Sequence, residues 1–248
     1  MIPREQKAHI ILGKFSQEEL DHIIYKSSKI KDIARRIDFL SGQLLDLDYI
    51  ESTLIGDINT PEAFVINLEG VDCFTFIDYL EAMRLSNSFS EFTVNLRKVR
   101  YKSGKVVFEN RNHFFTDWRE FNSDFIDDVT EEIGAQRTIK VQKTLNEKKD
   151  GTYYIPGVRP VLREIKYIPS DKIDESVMNK LRTGDYIGIY STKQGLDVSH
   201  VGISIKEGDK TYLRHASSLK KHRKVVDQDF KKYITGKLGI IVFRPKDK

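Results

Sequence analysis

The stretch LEGVDCFTFIDYLEAMRL, residues 68–85, organises the rest of this chain because it contains Cys73, the only cysteine among 248 residues. Asp72 precedes it, and the short aspartate side chain can accept hydrogen bonds from the free N–H groups of a first helical turn. Apolar side chains then recur at helical spacing, at positions 73, 76, 77, 80 and 83. The stretch predicts a buried helix beginning at Cys73, where backbone N–H groups and the helix dipole would favour the thiolate.

A lone cysteine on an apolar face can equally be a small core residue, so its chemistry depends on the partners that the rest of the chain supplies. Hydrophobic residues at 39% and charged residues at 31% are typical of a soluble globular protein, of one large domain or two small ones. The net charge of +4 does not indicate a nucleic-acid partner. No apolar run reaches the length of a membrane span, and the N-terminus lacks the apolar core of a signal peptide.

Residues 16–41 read as helical. Ser16 and Glu19 form a capping box, and apolar residues follow at helical spacing to residue 41, with a break near Ser27 and a stop at Gly42. Residues 64–68 predict a short strand or an extended entry to the cysteine helix. Beyond the cysteine helix, the turn signal at 102–104 separates two segments, 92–100 and 105–109, that we interpret as a hairpin or a loop-linked pair. The charged residues 122–150 predict solvated helix and loop.

The C-terminal third predicts a sheet, with strands at 186–190, 199–205, 211–216 and 238–244. A tight turn centred between Glu207 and Gly208 would place His200 directly opposite His215. Directly opposed residues of an antiparallel pair project from the same face, with Cβ atoms about 5 Å apart. We therefore predict that one face of the sheet presents both histidines together.

A cysteine at a helix start, a histidine on a strand and a second polar residue on the next strand suit thiol acyl transfer. The thiolate attacks a carbonyl, the first imidazole holds and returns the proton, and the third group orients that imidazole. Backbone N–H groups at the helix start would stabilise the oxyanion. A zinc site is disfavoured, because no histidines have helix-face spacing and there is no second cysteine; we expect no metal and no cofactor.

These residues resemble a family. Asp72-Cys73, the Leu-x-x-Gly-Asp of 181–185, the Ser-His-Val-Gly of 199–202 and the Arg-His-Ala-Ser of 214–217 are similar to the NlpC-type, papain-like cysteine peptidases of bacterial cell wall. The segments around the cysteine, at 113–118 and at the chain end resemble the N-acetylmuramoyl-L-alanine amidase-like branch. Phe74 and Asp78 depart from it, standing where threonine and glutamate are more usual.

The resemblance implies an α+β, papain-like NlpC-type fold, with N-terminal helices and the cysteine helix packed on an antiparallel sheet. It implies a single catalytic domain over 1–248, divided into a helical part (1–42), cleft-forming segments (43–180) and a core sheet (181–248). Cys73 would be the nucleophile, His200 the base and then acid, and His215 the orienting residue. The residues expected to contact substrate are Tyr49, Glu51, Ser52, Asp72, His113, Asp117, Trp118 and Ser199.

The implied activity is hydrolysis of the amide between N-acetylmuramic acid and L-alanine in peptidoglycan or muropeptides. Arg159, Arg163 or Arg214 could pair with a carboxylate of such a substrate. The alternatives are a stem-peptide endopeptidase of the same clan, a wall-binding module and a glycoside hydrolase. A wall substrate implies the periplasm or cell envelope, with the cytoplasm as the alternative if the substrate is a recycled fragment.

Overall fold

The computed structural model describes residues 8–247. Its helices are α1 (Gln17–Ser28), α2 (Ile33–Gln43), α3 (Cys73–Arg84), α4 (Phe89–Arg100), α5 (Phe115–Phe121), α6 (Thr130–Gly134), α7 (Glu175–Lys180) and α8 (Phe230–Ile234). Its strands are β1 (His9–Ile11), β2 (Asp48–Tyr49), β3 (Val65–Asn67), β4 (Gly70–Val71), β5 (Ile126–Asp128), β6 (Ile139–Leu145), β7 (Val161–Pro169), β8 (Tyr186–Tyr190), β9 (Val198–Glu207), β10 (Lys210–Ala216), β11 (Val225–Asp229) and β12 (Gly239–Pro245).

The predicted antiparallel sheet is present and is larger than expected. Seven strands follow the order β11-β10-β9-β8-β12-β7-β6, β5 also pairs with β12, and each of these pairings is antiparallel. In the segment 122–150, which the sequence predicted as solvated helix and loop, the helix is present as α6, but strands β5 and β6 were not predicted. Strand β6 is an edge strand with largely solvent-facing residues, and charged side chains on such an edge hide the apolar alternation of a strand.

Helices cover both faces of this sheet, because its strands are apolar on both sides. In β12, Ile241 and Phe243 join the larger core cluster, which also contains α1 to α5. Ile240 and Val242 join a smaller cluster that includes residues of α6, α7 and α8. Among the helices of residues 8–247, none combines the length and apolar composition needed to cross a membrane.

Helix α3 begins at Cys73 as predicted. The Asp72 carboxylate accepts hydrogen bonds from the N–H groups of Phe74 at 2.9 Å and Thr75 at 2.7 Å, and Thr75 Oγ1 accepts from the Asp72 N–H, which completes a capping box. The sequence predicted that one face of this helix is buried, but every residue from Thr75 to Arg84 is buried. The helix packs against α2, α4 and β9, so the first turn is held rigidly beside the sheet.

Charged residues on α3 are satisfied inside the core. Asp78 accepts hydrogen bonds from Arg100 Nε at 2.8 Å and from the Trp118 indole at 3.0 Å, and all three side chains are buried. Glu81 pairs with Arg84 and accepts a hydrogen bond from the Tyr186 hydroxyl at 2.8 Å. These contacts tie the cysteine helix to α4, α5 and the sheet.

Two local predictions need correction. The hairpin or loop-linked pair expected over 92–109 is wrong, because 89–100 form helix α4, capped by Ser88, with Phe92 and Leu96 among its buried residues. Its apolar side chains recur at helical spacing from position 89, which the strand interpretation overlooked. The predicted stop at Gly42 is also displaced, since α2 continues through Gln43. The capping box at Ser16 and the break between α1 and α2 are confirmed.

Candidate active site

Three backbone N–H groups lie against the Cys73 sulfur. They belong to Cys73 and Phe74 in the first turn of α3 and to Val201 on β9, and each lowers the pKa of the thiol. Because Val201 directly follows His200, this contact brings the cysteine to the strand that carries the predicted base. Donors that converge on sulfur can also stabilise an oxyanion formed on an adjacent carbonyl.

The Cys73 side chain is half-buried, and its desolvation decides the charge of the thiol. Desolvation and then the neighbouring Asp72 carboxylate raise the pKa of Cys73 to about 12, against the effect of the three N–H groups. The N–H groups at the helix start do favour the thiolate, as predicted, but desolvation and the Asp72 carboxylate outweigh them in the resting site. Helix-dipole reasoning considers the N-terminus alone, whereas here the cap that begins the helix is itself an anion next to the sulfur.

His200 and His215 lie together, although not in the predicted register. Strands β9 and β10 pair Glu207 with Lys210 and Arg214 with Ile203, so the two histidines are diagonal neighbours rather than directly opposed. The turn is two residues tighter than expected, and a shift of two keeps both side chains on one face. His200 Nε2 lies 2.6 Å from His215 Nδ1.

A β-bulge marks the start of β9. Ile189 on β8 pairs with His200 and Tyr190 pairs with Val198, which leaves Ser199 as the extra residue. Bulges bend a strand locally and change the direction of a side chain, and they are common beside active sites. Ser199, a predicted substrate contact, is exposed at this bulge immediately before His200.

A glutamine that the sequence reasoning missed extends the histidine pair. His215 Nε2 lies 2.7 Å from Gln228 Oε1 on the adjacent strand β11. Desolvation and the neighbouring His215 lower the pKa of His200 to about 3, and desolvation lowers the pKa of His215 to about 4. Both imidazoles are thus neutral near pH 7. No motif around residue 228 indicated this contact, since only the pairing of β11 with β10 brings the glutamine to the site.

Two tyrosines flank the cysteine. The pKa of Tyr49 rises to about 12 through burial and the nearby Cys73, and that of Tyr233 rises to about 12 for the same two reasons. The Tyr233 ring also meets the His215 ring edge-on, with centroids 5.0 Å apart. Both hydroxyls stay protonated at neutral pH and can donate hydrogen bonds. Tyr49 was predicted from the sequence, whereas Tyr233 was missed.

A cation lies over each tyrosine ring. The Arg223 guanidinium is 4.9 Å from the Tyr49 ring centroid, and the Lys237 ammonium is 5.3 Å from that of Tyr233. Glu51, another predicted contact, is exposed and 3.6 Å from Arg223. Ser52 follows it on the surface with a φ of 57°, a left-handed conformation that turns the loop.

Other predicted contacts lie elsewhere. Trp118 is fully buried against Asp78, so the structure places it in the core rather than on a cleft wall. Asp72 is occupied as the cap of α3. His113 and Asp117 line a cavity of about 400 Å³ together with Arg159 and Arg163, and Arg163 is paired with Asp117.

The third predicted arginine is also occupied. Arg214 is buried and pairs with Asp227 at 2.7 Å and with Asp38 at 3.0 Å, so it holds β10 against α2 and β11 instead of facing a ligand. Within residues 8–247, no group of three or more histidine, cysteine or acidic side chains has an arrangement that could hold a metal ion.

A family model described as AmiA-like, N-acetylmuramoyl-L-alanine amidase-like, matches residues 39–240. A search among curated protein sequences finds no match.

Several solved structures share the fold. A protein from Legionella pneumophila is 22% identical, with a TM-score of 0.79 over 92% of this chain and 94% of that chain. An N-acetylmuramoyl-L-alanine amidase from Bacteroides uniformis is 28% identical, with a TM-score of 0.73 over 86% of this chain and 99% of that one. A Bacteroides fragilis protein provisionally named a xylanase is 27% identical, with a TM-score of 0.68 over 82% and 98% of the two chains.

Proposed function

The chain belongs to the AmiA-like, N-acetylmuramoyl-L-alanine amidase-like family, and from this premise we propose that it hydrolyses the amide between N-acetylmuramic acid and L-alanine. The substrate is peptidoglycan or a muropeptide derived from it. The observation that carries the proposal is the contact of Cys73 with the N–H of Val201, beside a hydrogen-bonded pair of neutral histidines. The likeness to the Bacteroides uniformis amidase supports the same reaction.

The proposed chemistry starts from a neutral thiol and a neutral imidazole. His200 removes the Cys73 proton as sulfur attacks the lactyl carbonyl, so no free thiolate has to exist beforehand. The oxyanion is stabilised by the N–H groups of Cys73 and Val201, with Tyr49 as a further donor. His200 then returns the proton to the L-alanine nitrogen, which leaves as an amine. Water hydrolyses the resulting thioester, with His200 again as base.

The papain-like, NlpC-type assignment belongs to the same proposal. Its support is the chain order of Cys73, His200 and His215, together with a cysteine helix packed on an antiparallel sheet. We further propose that the chain is one catalytic domain, since the larger core cluster runs from Leu20 to Phe243. Because peptidoglycan lies outside the cytoplasm, we propose the periplasm or cell envelope as the site of action.

The test is digestion of intact sacculi and of soluble muropeptides, followed by mass spectrometry, with Cys73→Ala as the matched inactive control. The amidase should release stem peptides that carry a free L-alanine amino terminus. Cleavage between the second and third stem residues would transfer the assignment to an endopeptidase of the same clan.

A glycoside hydrolase ranks below the endopeptidase as an alternative, and the observation in its favour is the name given to the Bacteroides fragilis neighbour. New reducing sugar ends, formed equally by wild type and by Cys73→Ala, would support it and contradict the thiol mechanism.

Preference for sacculi over soluble muropeptides would support action on the wall, and the reverse preference would support recycling of fragments.

A further inference from the structure

The hydrogen-bond chain that starts at His200 ends at Gln228, a residue with no role in the chemistry proposed above. His200 Nε2 is 2.6 Å from His215 Nδ1, and His215 Nε2 is 2.7 Å from Gln228 Oε1. We propose that Gln228 is a positioning residue that sets the tautomers of both histidines, so that His200 keeps an unprotonated Nδ1 for the Cys73 proton. The inference rests on the proposed thiol hydrolase chemistry and deepens it.

The strand pairing explains why Gln228 reaches this chain. Gln228 on β11 pairs with Leu213 on β10, and His215 lies two residues further along β10. Directly paired residues share a face of the sheet, and residues two apart on a strand also share one. Gln228 and His215 therefore project from the same side as diagonal neighbours.

The tautomers follow from the donor count. A neutral imidazole has one N–H donor and one nitrogen acceptor. When the Gln228 carbonyl oxygen accepts, His215 must carry its proton on Nε2 and leave Nδ1 as an acceptor. His200 then donates from Nε2 to His215, which leaves its own Nδ1 free. If the Gln228 amide instead presented its NH₂ group, donor and acceptor would be exchanged in each hydrogen bond of the chain. His200 would then carry its proton on Nδ1, the nitrogen needed as base.

The charges around His215 favour this neutral arrangement. Desolvation, the imidazole of His222 and the ammonium of Lys237 lower its pKa, whereas Gln228 and the Asp227 carboxylate raise it. Tyr233 on α8 meets its ring, and His200 is its partner on β9. A carboxylate in place of the Gln228 amide would add a negative charge at hydrogen-bond distance, and so would stabilise an imidazolium that cannot act as a base.

Two substitutions separate the effect of hydrogen bonding from that of charge. Gln228→Leu removes the acceptor and leaves an apolar side chain one atom shorter. We expect kcat to fall about 10- to 100-fold, the range typical when the hydrogen-bond partner behind a metal-bound imidazole is lost. KM should change little, because Gln228 does not touch the substrate. Gln142→Leu, at an exposed position on β6, is the matched control and should leave both constants unchanged.

Gln228→Glu keeps an acceptor and should restore most of the activity lost in Gln228→Leu at alkaline pH. Its added charge raises the pKa of His215 in the folded protein. The imidazolium then persists to higher pH, and the acid limb of kcat/KM should move upward by about 1 to 3 pH units. An acid limb that stays in place would overturn the proposed contact.

The tautomers themselves can be read without substrate. In ¹⁵N-histidine-labelled protein, the ring nitrogens of His200 and His215 should both appear as Nε2–H, Nδ1-unprotonated imidazoles, and Gln228→Leu should give mixed tautomers. A proton on His200 Nδ1 in the wild type, or tautomers unchanged in Gln228→Leu, would overturn the inference. Correct tautomers with no release of stem peptide would instead count against the proposed amidase alone.

Discussion

The resting charge of Cys73 can be tested through its rate of alkylation. Burial and then Asp72 raise the pKa of its thiol from 9.0 to about 12. At about pH 8 the thiolate fraction then falls from roughly one in ten to roughly one in ten thousand, because each pKa unit is a factor of ten. A more basic thiolate is also the better nucleophile, and with a Brønsted slope of about 0.45 this recovers roughly 20-fold. We therefore expect iodoacetamide to modify the native protein about 40-fold more slowly than an unhindered thiol.

The chain provides its own reference, because Cys73 is its only cysteine. The rate of carbamidomethylation is followed by intact-protein mass spectrometry in native buffer and in urea, across about pH 6 to 10. The native rate should keep rising over this range, whereas the unfolded rate should level off near the ordinary thiol pKa. Every modified molecule should be inactive.

Asp72→Asn is the matched variant. Asparagine caps a helix about as well as aspartate, so α3 should be retained while the charge next to the sulfur is removed. The pKa of Cys73 should fall and alkylation should become faster. Native protein that reacts faster than the unfolded chain, with a rate already level at neutral pH, would refute the reasoning and indicate a preformed thiolate–imidazolium pair.

Three further results are expected. Cys73→Ala and His200→Ala should each lower kcat by about 10⁴-fold or more without loss of the folded circular dichroism spectrum. His215→Ala should lower kcat by only about 10²-fold, since an orienting group contributes less than one that moves the proton. Equal losses for both histidines would contradict these roles. The kcat/KM of the wild type should be retained below the ordinary histidine pKa and lost only toward pH 4, because the lowered pKa values of His200 and His215, about 3 and 4, keep the base neutral. A loss of kcat/KM centred near pH 6.5 in fixed-time assays would instead indicate a charged histidine pair. Asp78→Ala should lower the free energy of unfolding by about 3–5 kcal/mol in urea titrations, because it leaves the buried Arg100 guanidinium without its carboxylate. A smaller loss of stability in the double variant with Arg100→Met would support this cause, and an additive loss would oppose it.

Local sequence determined several features of the site correctly. The cap at Asp72 and the helix start at Cys73 depend only on neighbouring residues, and both are present. The shared face of His200 and His215 also follows from the sequence, since alternation along a strand survives any register shift of two. The distance of 2.6 Å between His200 Nε2 and His215 Nδ1 could be known only from the observed turn between β9 and β10.

Only the tertiary structure decided the electrostatics and the outer contacts. The raised pKa of Cys73 comes first from desolvation where α3 packs on β9, which no motif expresses, and then from the Asp72 carboxylate. Trp118 was assigned to a cleft because it lies in an aromatic segment, yet its indole is needed to satisfy the buried Asp78 carboxylate. Gln228 reaches the histidine pair solely because β11 pairs with β10. Sequence patterns report on neighbours along the chain, whereas desolvation and hydrogen-bond partners depend on which distant segments are packed together.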